Sequence, residues 1–184
     1  LQFAREVVKI PNWCDGDLVV LGKHKDMLEF KEFAHTKKRE LKEKNLFKQK
    51  EQKNENTEIL NVLEDNYVYE ENDLDTEQFI PMPKKSDDED FNSYDWCCKN
   101  WGTKWGICNP DLWEETKRRL AYRFQTAWSP CYPVILAMSK KFPNLKFIYK
   151  YYEMGVGYKG KYIVKGEEVV ENDCDNEYKG RRGG

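Results

Sequence analysis

The residues best suited to chemistry gather around the tryptophans. Trp101-Gly-Thr103-Lys104-Trp105 sets a hydroxyl and an ammonium between two indoles, and Trp128-Ser129 again joins a ring to a hydroxyl. Farther along, Glu153 stands just before Gly155-Val-Gly157. One use of such a set is a pocket whose indole faces hold a flat ligand while Thr103, Lys104 and Ser129 supply polar contacts. The other is scaffold: the indoles close the ends of the fold and give their N–H groups to backbone carbonyls. Scaffold is the favoured expectation, because aromatic side chains usually join the core. Lys104, between two tryptophans, is the residue that best separates the two.

An enzyme needs a nucleophile, a base and a charge stabiliser that meet. Ser129, Lys104, Glu153 and Cys131 have suitable chemistry, but no spacing links them, so no catalytic residue is assigned and the chain reads as a binding protein. The six cysteines are Cys14, Cys97, Cys98, Cys108, Cys131 and Cys174. They form no CxxC pair, and His24 and His35 lie in a helical stretch away from them, so no metal and no cofactor is expected. The expectation for these cysteines is buried free thiols.

The chain has 184 residues, enough for one domain, 1–184. Charged residues make up 35% and aromatics 14%, too aromatic for a disordered chain and too charged for core alone. A compact core with polar segments outside it satisfies both. The net charge of -2 argues against unspecific wrapping of nucleic acid. No apolar run reaches the length of a membrane span, and residues 1–10 lack a cleavable signal pattern. No membrane contact and a cytoplasmic location are therefore expected.

Around these residues the periodicities predict the elements that must position them. Asp17–Leu21 is a strand, and Met27, Leu28, Phe30, Phe33 and Ala34 mark an amphipathic helix. Residues 39–77 read as a charged insertion: a basic helical arm over Lys37–Lys53, then an acidic, tyrosine-bearing segment over Glu64–Glu77. Phe79–Pro83 is extended, and Asp87 or Asp90 caps a short helix carrying Tyr94, Trp96, Cys97 and Cys98. A turn leads to a short strand near Ile107, and a solvated connector follows Asn109-Pro110. Leu120–Thr126 alternates as a strand, Pro133 opens a helix with Val134, Ile135, Met138 and Phe142 inward, and Lys146–Glu153 and Tyr158–Val164 pair antiparallel. Residues 167–184 read as a flexible tail. The order approaches a β-α-β-β-α-β plan with an extra edge strand, an α+β split βαβ sandwich in which an antiparallel sheet packs against helices.

Five phrases carry a family likeness: Pro11-Asn-Trp-Cys14, Phe79-Ile-Pro-Met-Pro83, Trp96-Cys97 with Asn100-Trp-Gly-Thr-Lys-Trp105, Thr126-Ala-Trp-Ser-Pro130, and Glu153 with Gly155-Val-Gly-Tyr-Lys-Gly160. Together, over roughly residues 11–165, the chain resembles the YubB-like ferredoxin-like domain family of phage, prophage and plasmid proteins. The resemblance implies a ferredoxin-like fold without iron–sulfur ligation, and it brings no catalytic residues. Gln125 and Cys131 depart from the family pattern, which commonly has an acidic residue and a proline there.

The resemblance further implies an accessory protein of a mobile element that binds and modulates a host protein, anti-viral defence included. Acidic runs, above all Asp87, Asp88, Glu89 and Asp90, would steer such a partner. The alternative reading is a domain for single-stranded nucleic acid or a nucleotide, with Tyr122, Phe124, Phe147, Tyr149, Tyr151, Tyr158 and Tyr162 offering rings for stacking. A small enzyme using the Trp101–Trp105 pocket ranks last.

Overall fold

Alternation along three strands builds the core. In β1 (Trp13–Leu21), Cys14, Gly16, Leu18 and Val20 point to one side, as do Leu120, Tyr122, Phe124 and Thr126 of β5 (Arg119–Ala127). β6 (Lys146–Glu153) adds Phe147, Tyr149, Tyr151 and Glu153 to the same side. β1 runs antiparallel to both neighbours, so Leu18 lies opposite Tyr122 and Tyr149. The computed structural model describes residues 12–41, 67–83 and 91–175.

Three further strands complete a six-stranded sheet: β4 (Cys108–Glu115), β7 (Tyr158–Lys165) and β8 (Glu168–Asp175), in the order β4-β5-β1-β6-β7-β8. The four strands from β4 to β6 have the pairing of the split βαβ plan, and β7 and β8 extend it beyond β6. The fold is thus α+β and ferredoxin-like. Helices α1 (His24–Ala34) and, between β5 and β6, Tyr132–Lys141 cover the apolar face. Phe30 of α1 sits at its centre, 5.4 Å from the Phe147 ring and 5.3 Å from Phe142. Asp26 in the first turn of α1 and Lys31 in the last complement the helix dipole.

Two shorter helices join this frame to the tryptophan turns. α2 (Thr76–Phe79) starts at Asp75, whose carboxylate accepts from Glu77 N at 3.0 Å and from the Thr36 hydroxyl at 2.8 Å. The Thr76 hydroxyl accepts from Ile107 N at 2.8 Å, which ties α2 to the start of β4. α3 (Ser93–Asn100) is capped by Asn92, which accepts from Tyr94 N at 3.0 Å. The Tyr132–Lys141 helix, α4, has proline in its first turn and ends at Phe142, before Pro143.

Several expectations are corrected. β1 begins at Trp13 rather than Asp17, and Leu28 is exposed, leaving Met27, Phe30 and Ala34 as the buried stripe. The start of the expected helical arm is instead strand β2 (Thr36–Leu41), antiparallel to β3 (Tyr67–Asn72) in a separate two-stranded sheet. Its register sets Lys37 opposite Glu71 and Lys38 opposite Glu70, so backbone pairing in a strand overrides the helical propensity of Lys, Arg and Glu. The rest of that arm lies outside the described residues. Leu74, Asp75 and Thr76, expected in the insertion, are buried in the core. Phe79 ends a helix rather than opening an extended segment, and Asn92, not Asp87 or Asp90, is the cap. The connector after Asn109-Pro110 is edge strand β4, where proline is tolerated. The presumed tail is strand β8 through Asp175; residues 176–184 lie outside the described residues.

Two glycines permit close approaches on which the sheet depends. Gly16 lies between Phe124 and Tyr149, whose rings stack across β1 at 5.5 Å and 17°; a Cβ there would come within 2.8 Å of Phe124 and 2.9 Å of Tyr149. Gly160 of β7 leaves room for the Tyr151 hydroxyl, which bonds to that of Tyr132 and reaches Asp173 O of β8 at 3.4 Å.

Gly160→Ala is therefore expected to push the Tyr151 hydroxyl off β8, costing about 1–3 kcal/mol. Chemical denaturation would measure the loss. Amide exchange should quicken in β8 while the amides of β1 keep most of their protection.

Candidate functional site

The tryptophan turns are stitched to the end of β5 through backbone carbonyls. Trp101 ends α3, lies edge-on to Trp96 at 5.4 Å, and donates its indole N–H to Ile80 O at 2.8 Å. The Thr103 hydroxyl donates to Ala127 O at 2.9 Å, and that of Ser129 to Gly102 O at 2.6 Å. Trp101 and Thr103 are buried. These three residues act as scaffold, and their polar atoms are engaged with the protein's own backbone.

Trp105 and Trp128 are different: the residues are 44% and 43% exposed, as is Tyr94 at 43%. The Lys104 ammonium sits among all three rings, 4.4 Å from the Trp105 centroid, 5.0 Å from Trp128 and 6.0 Å from Tyr94. Trp13 packs beside Trp105 at 5.9 Å, and Tyr94 stands edge-on to Trp128 at 6.3 Å. The expected grouping of Lys104, Trp105 and Trp128 is thus brought together. Tyr94 and Trp13 join it unannounced, since α3 and the start of β1 approach this loop only through the fold.

Trp128 has φ of +71°, a left-handed conformation that costs a bulky L-residue roughly 1–3 kcal/mol. Its N–H donates to Asn12 O at 2.9 Å and its carbonyl accepts from the Tyr158 hydroxyl at 2.6 Å. Those bonds hold the strained backbone, and the strained backbone holds an indole out toward water.

Glu153 ends β6 beside the same edge and is buried. Its carboxylate accepts from Gly155 N at 2.7 Å and Val156 N at 2.6 Å, so it closes the β6–β7 turn from inside. That turn exposes Met154 and Val156, next to Asn12 and so to Trp128. Tyr94, Trp105 and Trp128 thus share an exposed aromatic end, and the β6–β7 turn approaches it at Asn12. Glu153 fixes that turn from inside. Asp87, Asp88, Glu89 and Asp90 lie outside the described residues.

The rings expected to stack bases face the helices instead. Tyr122, Phe124, Phe147, Tyr149, Tyr151 and Tyr162 are all buried, and Tyr158 turns its hydroxyl to Trp128. On the opposite, helix-free face one register row reads Asp111, Arg123, Asp17, Lys150, Lys161, Asp173, where opposite charges largely neutralise one another. A hollow of about 200 Å³ there is lined by Trp113, Arg119, Arg123 and Lys150, with the Arg123 guanidinium 4.4 Å over the Trp113 ring. It is smaller than the usual small-molecule site.

Cys14, Cys97 and Cys131 are buried, whereas Cys98 and Cys174 are exposed, contrary to the expectation of buried thiols throughout. Burial pushes the Cys14 thiol up to about 11 and that of Cys131 up to about 12. Both stay protonated at neutral pH and are poor nucleophiles. Among the described residues no group of three His, Cys, Asp or Glu side chains is placed to hold a metal ion.

Two outcomes follow from these contacts. Glu153→Gln places an amide donor against a backbone N–H, and is expected to cost about 1–3 kcal/mol in urea unfolding despite its matching shape. The buried thiols favour the folded state fully below their ordinary value of 9.0, and that stability is lost as pH rises through about 11 and 12. Unfolding free energy should therefore fall from pH 9 upward, and less steeply in Cys14→Ala/Cys131→Ala.

Residues 111–182, from β4 past the end of β8, match the family model described as the ferredoxin-like domain in Api92-like protein. No curated protein matches the chain. Among solved structures, the crystal structure of protein Api92 from Yersinia pseudotuberculosis is similar at a TM-score of 0.61 and 9% identity, covering 94% of this chain and 100% of that one. At that identity the likeness concerns the fold, and it agrees with the ferredoxin-like architecture built up above from strand order and register.

Proposed function

We propose that this chain is a non-catalytic binding protein that docks a host protein through the exposed aromatic end of its sheet, as a cytoplasmic accessory of a mobile element. The observation that supports docking is Trp128: an indole kept in water by a strained, left-handed backbone is expensive to maintain without a use. Exposed apolar surface of this kind, lined by tryptophan and tyrosine, is the usual composition of interface hot spots. The mobile-element setting, and the modulation of a host or defence protein, rest on the sequence resemblance to YubB-like proteins. Among the described residues no helix is long and apolar enough to cross a membrane.

Trp128→Gly separates docking from scaffolding. Glycine adopts the positive φ freely, so relief of strain offsets the lost ring contacts and thermal stability should stay within about 1 kcal/mol of the parent. Partner affinity should drop at least about tenfold, the mark of a hot-spot residue. A photo-cross-linking residue at position 105 should capture one protein from host lysate, and that adduct should vanish in Trp128→Gly. The same probe at position 113, on the helix-free face, serves as control. Equal capture at both positions, or capture indifferent to Trp128, overturns the proposal.

A further inference from the structure

The lysine at the aromatic end sits in an unusual position. Its ammonium lies within 6.0 Å of three ring centroids, those of Trp105, Trp128 and Tyr94, and each of these residues is more than two-fifths exposed. The ion pairs among the described residues do not include Lys104. Among the described residues, the π faces are the contacts that hold this cation. Three rings converging on one ammonium are what a cation-recognising aromatic cage consists of.

We propose that Tyr94, Trp105 and Trp128 form a cage for a weakly hydrated organic cation, and that Lys104 is its internal, displaceable occupant. The external ligand is an arginine or methylated-lysine side chain presented by the docked protein, so the biological use of the cage rests on the docking reading above. The chemistry favours exchange. A primary ammonium is strongly hydrated and gives up much on entering the cage, whereas a guanidinium or methylated ammonium gives up less. Lys104 competes through its high local concentration, as the residue next to Trp105, and it has no ion pair among the described residues to break when it swings into water. The Trp128 backbone, clamped by Asn12 and Tyr158, keeps one wall standing while the occupant changes.

Tetramethylammonium chloride is the probe, titrated against sodium chloride of equal ionic strength. In the wild-type protein the Lys104 ε-methylene proton resonance should lie upfield through ring currents and move toward its free value as the probe saturates. Tryptophan fluorescence should report saturable binding about tenfold tighter in Lys104→Ala, which removes the competitor. Binding should be lost in Trp105→Leu. A Lys104 resonance that ignores the probe, or a folded Lys104→Ala without a saturable response, overturns the cage. Because no partner is needed, the two readings fail separately: probe binding without cross-linked partner leaves the cage and removes the docking proposal, and the reverse result does the opposite.

Discussion

The structure depends on β1 being sandwiched edge to edge between β5 and β6 while its inward side chains meet a layer of aromatic rings. Leu18 and Val20 are wholly buried, and Gly16 opens the gap through which Phe124 and Tyr149 stack over the strand. A side chain larger than hydrogen at that point would force the rings apart, and with them the two strands that carry them. Phe30 then seals the layer from α1, touching Tyr122, Phe142 and Phe147 edge-on. Such geometry adds a modest directional term to the larger effect of removing several aromatic faces from water.

That central strand also sets the position of the aromatic end. The chain enters β1 at Asn12 and Trp13, and leaves β5 at Trp128, because Trp13 and Ala127 are register partners. Asn12 therefore lies where its carbonyl can clamp the Trp128 N–H. β6 ends at the same edge, so the Glu153 turn and the Tyr158 hydroxyl arrive there too. Three segments far apart in sequence share one end of the sheet because the sheet is antiparallel and the strands are similar in length. Backbone hydrogen bonds do most of the joining, which leaves ring faces free to meet Lys104 and water.

Exposure divides the tryptophans by role. Trp101 gives its N–H to Ile80 and vanishes into the core, while Trp105 and Trp128, in equally polar and turn-rich surroundings, remain outside. The difference lies in what stands opposite each ring. Trp101 ends α3 against Trp96 and residue 80, and Trp105 meets Trp13 and the Lys104 ammonium.

Alternation and helical spacing were enough to place β5, β6, β7, α4 and the helix α1, though not every member of its buried stripe, because burial of one face imposes a period that survives in the amino-acid order. The ferredoxin-like plan was legible for the same reason. Of β4 only the start, near Ile107, was legible, and β8 was not, since edge strands exposed to water carry acidic residues and a proline that read as loop or tail, and their pairing is decided by the neighbouring strand. The short spacing of Lys104 and Trp105 was visible locally, and so was the presence of Trp128. Their convergence with Tyr94 and Trp13 was decided by tertiary structure alone, because register and a left-handed backbone at residue 128 have no signature in the order of residues.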